Sequence, residues 1–169
     1  FPLLKLNKMT DKEREYWRNR YRHLHLYFAH GRGWDQLTLT AAHVLDSYWP
    51  KWMPFWLKHI WTWSMGSGMR YQRLGKFLCN LSILLNIPRL VGKFNTPPFK
   101  FSTIKEKLGG LCLYCVGYPG AEPDIISKLE DLSYTICEEC GSSKDIGMTD
   151  MKHEGWIYTL CKNCKGDRK

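Results

Sequence analysis

Two cysteine pairs near the end of the chain, Cys137-x2-Cys140 and Cys161-x2-Cys164, are separated by 20 residues. They constrain the fold more than any other feature. A C-x2-C turn points both sulfurs at one centre. Two such turns complete a tetrahedron of thiolates around a zinc ion, with Zn–S distances of about 2.3 Å. Gly141 follows the second cysteine, where a chain leaving such a knuckle needs φ > 0. Four thiolates fill every position and leave none for water, so one structural Zn2+ is expected rather than a catalytic one. The ribbon spacing favours zinc over iron, which the sequence leaves open. His153, between the pairs, reads as a surface histidine or one supporting a ligand from behind.

The other three cysteines bring the total to seven, an odd number that argues against a secreted disulfide framework. A reducing compartment is expected. The opening Phe1-Pro2-Leu3-Leu4-Lys5 lacks an apolar stretch followed by a small-residue cleavage site, so no signal peptide is expected. The longest apolar run, Phe77 to Ile87, is too short to span a bilayer and carries Asn80 and Asn86. No membrane partner is expected, and no small-molecule substrate is evident.

The 169 residues suit one domain, or one domain with a small appendage, and are enough to bury a core beyond the metal site. The net charge of +9 is uneven. Residues 1–70 carry eleven Lys/Arg against five Asp/Glu, residues 71–132 eight against five, and residues 133–169 six against six. The basic excess therefore lies upstream of the cysteines. It suits phosphate contacts to nucleic acid, or serves only solubility.

Thr10-Asp11-Lys12-Glu13 has the form of a capping box and predicts a helix from about Asp11 to Phe28. Tyr16, Trp17, Tyr21, Leu24 and Phe28 make its apolar stripe. Arg14, Arg18 and Arg22 recur at four-residue spacing on another face, with Arg20 beside them. This row is either a contact face for phosphate or an acidic partner, or a solvated face offset by Glu13 and Glu15. Gly31-Arg32-Gly33 breaks the helix, and a second is predicted from Asp35 to Tyr48, ended by Pro50.

Six aromatics then fall between Trp49 and Trp63, interleaved with Lys51, Lys58 and His59. Rings beside basic residues can stack on bases, but at this density a core or a protein interface is the better reading. Arg14, Arg18, Arg22, Lys51 and Lys58 are the candidate residues for contact with nucleic acid or a partner. A third helix is predicted from Tyr71 to Leu85, with Cys79 as a core thiol.

From Phe99 the period changes to two. Phe99, Phe101 and Thr103 alternate with Lys100 and Ser102, and Gly109-Gly110 supplies a turn, predicting a β-hairpin with Lys105, Glu106 and Lys107 near its tip. Cys112 and Cys115 are also spaced C-x2-C, but a strand sends them to opposite faces. Packing is their expected role, with redox or a second metal as the alternatives. Asp124 caps a helix to about Thr135, whose stripe of Ile125, Ile126, Leu129, Leu132 and Ile136 leads into Cys137. Trp156, Ile157, Tyr158 and Leu160 read as a strand entering the second knuckle.

The run Ile104-Lys105-Glu106-Lys107-Leu108-Gly109-Gly110-Leu111, then Cys137-Glu138-Glu139-Cys140-Gly141, then Gly155-Trp156-Ile157-Tyr158-Thr159-Leu160-Cys161 resembles a group of small zinc-binding proteins of tailed bacteriophages and prophages. The resemblance covers about 60 of the 169 residues. It implies a phage-encoded protein acting in a bacterial cytoplasm and supports the zinc assignment. Cys112 and Cys115 depart from the aromatic-rich strand of that group.

The expected architecture is α+β. Residues 1–98 form a helical, basic, aromatic region, and residues 99–169 a hairpin, a helix and a four-cysteine zinc ribbon. The expected function is a non-catalytic, zinc-stabilised binding protein that contacts nucleic acid or a host or phage protein. A structural virion or assembly component is the alternative. An HNH-like nuclease is a further one, since Thr159-Leu160-Cys161-Lys162-Asn163-Cys164 is similar to the closing knuckle of those enzymes. That chemistry needs a histidine base and further metal ligands, for which the chain offers His153 and Asp150 but no paired histidines between the knuckles. No G-x4-G-K-[ST] loop or G-x-S-x-G elbow is present.

Overall fold

Thr10 starts the first helix as its capping box requires. Its hydroxyl accepts from the Glu13 amide, and the Glu13 carboxylate accepts from the Thr10 amide at 2.7 Å. The computed structural model describes residues 8–49, 58, 100–116, 124–149 and 156–167. Outside them lie the expected helix Tyr71 to Leu85, Lys51, most of the Trp49 to Trp63 segment, Asp150 and His153.

Helix α1 spans Asp11–Arg20, well short of the expected end at Phe28. Tyr21 leaves helical geometry, a 3-10 turn covers Arg22–Leu24, and His25 takes a left-handed conformation at φ 57°. The early exit turns the chain inward and buries His23, Leu24 and Leu26. A continued helix would have kept Leu24 on a surface stripe that is itself mostly solvated: Tyr16 is 57% exposed, and no residue of α1 is buried.

A second 3-10 turn, Arg32–Trp34, leads into helix α2, Asp35–Ser47, close to the bounds expected. Its Leu37, Ala41, Ala42 and Leu45 are fully buried. Trp49 is buried too, so the first tryptophan of the aromatic segment belongs to the core.

The hairpin forms from β1, Lys100–Lys107, and β2, Gly110–Val116. Its alternation differs from the expected one. Phe101 pairs with Cys115 and Thr103 with Tyr114, which leaves Ser102 as an extra residue in a bulge. The bulge resets the phase, so Ile104 rather than Thr103 joins Phe101 in the core. On β2, Leu111, Leu113 and Cys115 face inward and Cys112 lies on the other face, as strand geometry requires.

Helix α3, Asp124–Ser133, packs on β2. It buries Ile126 and Leu129, while Leu132 is 41% exposed and drops out of the expected stripe. Two α3 side chains also satisfy amides on the free edge of β2. Ser133 Oγ accepts from Leu111 at 2.9 Å, and Glu130 Oε1 accepts from Leu113 at 2.6 Å.

A second, smaller antiparallel pair follows: β3, Ile146–Met148, and β4, Thr159–Cys161. The last element is the short helix α4, Lys162–Gly166. The molecule is α+β, with two two-stranded sheets among the described residues.

One core joins residues from both parts of the chain. Leu24, Trp34, Leu37 and Leu45 lie in the same cluster as Phe101, Ile104, Leu113, Ile126 and Ile136. Each fully buried leucine contributes roughly 2 kcal/mol, so this cluster is a source of stability separate from any metal. Among the described residues no helix is long and apolar enough to cross a membrane.

Candidate metal centre

The first knuckle begins where α3 unwinds. Successive turns through Tyr134, Thr135 and Ile136 deliver the chain to Cys137. The Cys137 amide donates to Ser142 O at 2.8 Å, and the Gly141 amide donates back to Cys137 O at 2.9 Å. These two bonds fold residues 137–142 into a loop. Gly141 has φ 77°, the left-handed conformation expected of it.

The second pair comes from β4 and α4. Cys161 ends the strand and caps the helix, and one helical turn brings Cys164 back beside it. The Glu138 amide donates to Thr159 O at 2.9 Å and ties the first knuckle to β4. Pairing of Ile146 with Cys161 closes the opposite side.

The four sulfurs lie within 4.8 Å of one another, and Cys140 Sγ and Cys161 Sγ are 3.6 Å apart. A tetrahedron with metal–sulfur bonds of about 2.3 Å has edges of about 3.8 Å. The cluster therefore has the dimensions of a four-thiolate metal site. Cys137 and Cys161 are buried, Cys140 and Cys164 half-buried, and Leu160, Ile146 and Tyr158 pack around them. The Cys164 amide draws the Cys161 thiol down to about 7, and its sister thiols reinforce the shift. Burial pushes the Cys140 and Cys164 thiols up. A cation at the centre would stabilise all four as thiolates at once.

The backing of this site was not legible from the sequence. Gly31-Arg32-Gly33 reads there only as a helix breaker, yet it seats the first knuckle. The Gly33 amide donates to Glu138 O at 2.6 Å, and the Gly31 amide donates to Glu138 Oε1 at 3.3 Å. The Trp34 indole N–H donates to Ile136 O at 2.9 Å from a fully buried position. A two-glycine step before a tryptophan was the only signal. Both glycines allow close approach: a Cβ on Gly33 would stand 1.9 Å from Cys137 O, and one on Gly31 2.4 Å from Glu138 O.

The hairpin tip braces the other side. Thr159 Oγ1 donates to Gly109 O, and the Trp156 indole N–H donates to Glu106 Oε2, both at 2.5 Å. Glu106 also accepts from the Gly109 amide at 2.7 Å.

The candidate contact residues separate. Arg14 does not stand on an open face. Its guanidinium forks onto the fully buried Asp35 carboxylate, with Nη2 to Oδ1 at 2.6 Å and Nε to Oδ2 at 3.0 Å, and it reaches His30 O as well. Burial pushes the Asp35 carboxyl up, and Arg14 opposes that shift. Lys58 is also engaged, 2.6 Å from Asp46 Oδ1 and over the Trp49 ring. Arg18 and Arg22 are exposed. Because α1 ends at Arg20, Arg22 does not continue the helical row. Cys112 and Cys115, on opposite faces of β2, do not join a metal-type cluster among the described residues.

Comparison with protein-family models, with curated proteins and with solved structures finds no match for this chain.

Proposed function

We propose that Cys137, Cys140, Cys161 and Cys164 hold one structural Zn2+, and that the protein is a non-catalytic module contacting nucleic acid. The observation that carries the reading is the convergence of four sulfurs within 4.8 Å of one another, packed by Leu160, Ile146 and Tyr158. Bound zinc would fix the ribbon geometry and, with all four positions taken by sulfur, offer no site for a reacting water. The exposed Arg18 and Arg22, within the basic upstream part of the chain, supply the phosphate contacts. A bacteriophage setting in a bacterial cytoplasm belongs to the same proposal and rests on the resemblance of residues 104–164.

The test is in two parts. Elemental analysis of the purified protein is expected to find one zinc per chain, and Cys137→Ser to lose both metal and thermal stability. Binding to labelled duplex and single strands across a salt series is expected to weaken steeply with salt, and Arg18→Ala with Arg22→Ala to flatten that slope. A Cys137→Ser protein with unchanged metal and stability would remove the zinc reading. No binding at low salt would remove the nucleic-acid reading.

A second reading, contact with a protein, is favoured by a different observation. Leu108 and Met148 are each 51% exposed and Trp156 49%, and all three belong to the joint between hairpin tip and ribbon. Aromatic and methionine side chains are enriched at such contacts. An assembly component would use this face.

A further inference from the structure

The outer face of the hairpin carries a pattern of charges and rings that the fold does not use. Strands β1 and β2 send Phe101, Ile104, Leu111 and Leu113 into the core, so Lys105 and Lys107 on β1 and Cys112 and Tyr114 on β2 stand on the opposite face. The register brings them together: Lys107 pairs with Gly110, Lys105 with Cys112 and Thr103 with Tyr114. Gly110 shares this face, and a Cβ built on it would stand 2.3 Å from Tyr134 Oη. The Tyr134 phenol therefore lies across the Gly110 end of the same face, although it comes from the turn after α3. Tyr114 is 45% exposed and Tyr134 44%.

Lys105 and Lys107 are exposed, and among the described residues neither has a carboxylate within ion-pair distance. Lys105 Nζ stands 5.5 Å from the Tyr114 ring centre, a contact that leaves its charge intact. Glu106, between the two lysines, turns away from them and is held by the Gly109 amide and the Trp156 indole. Cys112, at the middle of the face, senses the balance. Burial and the Glu130 carboxylate push its thiol up, and Lys107 and Lys105 oppose them. Glu130 lies at the edge, with its Oε1 taken by the Leu113 amide.

Two exposed cations and two exposed rings against one edge carboxylate suit a polyanion with accessible planar groups. Phosphates meet the lysines and unstacked bases meet the tyrosines. A single strand offers both, whereas a duplex keeps its bases stacked inside. An acidic peptide would satisfy the lysines but leave the rings unused.

We propose that the outer face of the hairpin is a platform for single-stranded nucleic acid, with bases stacked on Tyr114 and Tyr134 and phosphates on Lys105 and Lys107. This deepens the nucleic-acid reading above and rests on it, but it uses none of Arg18, Arg22 or the four cysteines. Single-stranded DNA and RNA share the chemistry.

Titration of the full chain with labelled oligo-dT and oligo-U of about 12 nucleotides, and with a duplex of the same length, tests it. A single strand is expected to bind at least about tenfold more tightly than the duplex, because only it can stack on the rings. Tyr114→Leu and Tyr134→Leu are each expected to weaken binding about tenfold, and Tyr114→Phe to bind as the parent does. Lys105→Gln with Lys107→Gln is expected to flatten the log–log salt slope by about 1.4. Both lysines are exposed, so this pair tests the face even if a tyrosine variant unfolds. Alkylation of Cys112 by iodoacetamide, followed by peptide mass spectrometry, is expected to slow at saturating strand. Tighter binding of oligo-U assigns the platform to RNA, tighter binding of oligo-dT to DNA, and equal binding to either strand. Duplex binding as tight as single-strand binding would overturn the proposal, as would an unchanged salt slope in the double lysine variant. If Arg18→Ala with Arg22→Ala abolishes binding while the hairpin variants bind normally, the nucleic-acid reading survives without this face. No binding of any strand at low salt removes both.

Discussion

The backbone N–H of Gly33 donates to the carbonyl of Glu138 at 2.6 Å, joining the turn before α2 to the loop between two metal-type cysteines. The residues are more than a hundred positions apart. The contact exists because Gly33 has no side chain: a Cβ there would meet Cys137 O at 1.9 Å and the Gly141 amide nitrogen at 2.5 Å, both backbone atoms that cannot swing away.

Gly33→Ala is therefore expected to push the turn off the first knuckle. The cost should reach about 3 kcal/mol, the upper range for overpacking against backbone. Metal content should fall with it, because the loop carrying Cys137 and Cys140 loses its seat. Denaturant melts and elemental analysis check both, and an unchanged midpoint would contradict the account.

Arg14→Met should be far more damaging than Arg18→Met. The first leaves the fully buried Asp35 carboxylate without its ion-pair partner, an effect of about 3–5 kcal/mol. The second removes an exposed arginine and should stay within about 0.5 kcal/mol. If Asp35→Asn is added to Arg14→Met, part of the loss should return, since no buried charge is then orphaned. Equilibrium unfolding in urea measures all three.

Leu108 is expected to be a site where stability can be gained. It is the first residue of the two-residue turn between β1 and β2 and has φ 51°, followed by Gly109 at 75°. A leucine in that conformation costs roughly 1 kcal/mol, whereas asparagine tolerates it. Leu108→Asn should raise the melting midpoint accordingly, because Leu108 is half exposed and gives up little packing. A lower midpoint would mean the leucine packs more than its exposure indicates.

Acid should destabilise the protein in two stages. Burial lowers His30 from 6.5 to about 4, with Arg14 nearby adding to the effect and the Gly31 carbonyl opposing it. Its Nδ1 donates to that carbonyl at 2.9 Å, so Nε2 accepts from the Thr38 hydroxyl at 2.7 Å and the ring is neutral. The folded state thus takes the proton later than the unfolded one. Stability from this residue is complete above about pH 6.5 and is lost towards pH 4, on the order of 3 kcal/mol. Asp46 is depressed from 3.8 to about 2, so its contribution is lost in the lower window between those values. Asp35, pushed up by burial, works in the opposite sense, because its protonation relieves a buried charge. Melts across this range should show the first decline, and His30→Gln should flatten it.

The elements whose signals are local were readable in advance. The capping box set the start of α1, a proline bounded α2, apolar spacing marked α3, and the two glycines marked the hairpin. The turn itself is Leu108-Gly109 rather than Gly109-Gly110, and Gly110 already pairs with Lys107 in β2. Signals that depend on partners misled. The stripe from Tyr16 to Phe28 suggested a longer helix, but burial of Leu24 and Leu26 pulled the chain out of it. The Phe101/Thr103 alternation missed the bulge at Ser102, which shows only once β1 is paired with β2.

The four cysteines were legible because both halves of a thiolate tetrahedron are local turns, with their geometry written into the C-x2-C spacing. Their mutual closeness then follows from the pairing of β3 with β4 and from the Glu138 amide bond to Thr159 O. The roles of the arginines were not legible. Arg14, Arg18 and Arg20 look alike in sequence, yet Arg14 meets a buried carboxylate from α2, Arg18 meets solvent and Arg20 edges a cavity. By itself the sequence determined which residues converge on a metal-type site. Only the tertiary structure decided which charges are spent inside the fold and which remain at its surface, because the energy of a charge is set by the groups and the water around it.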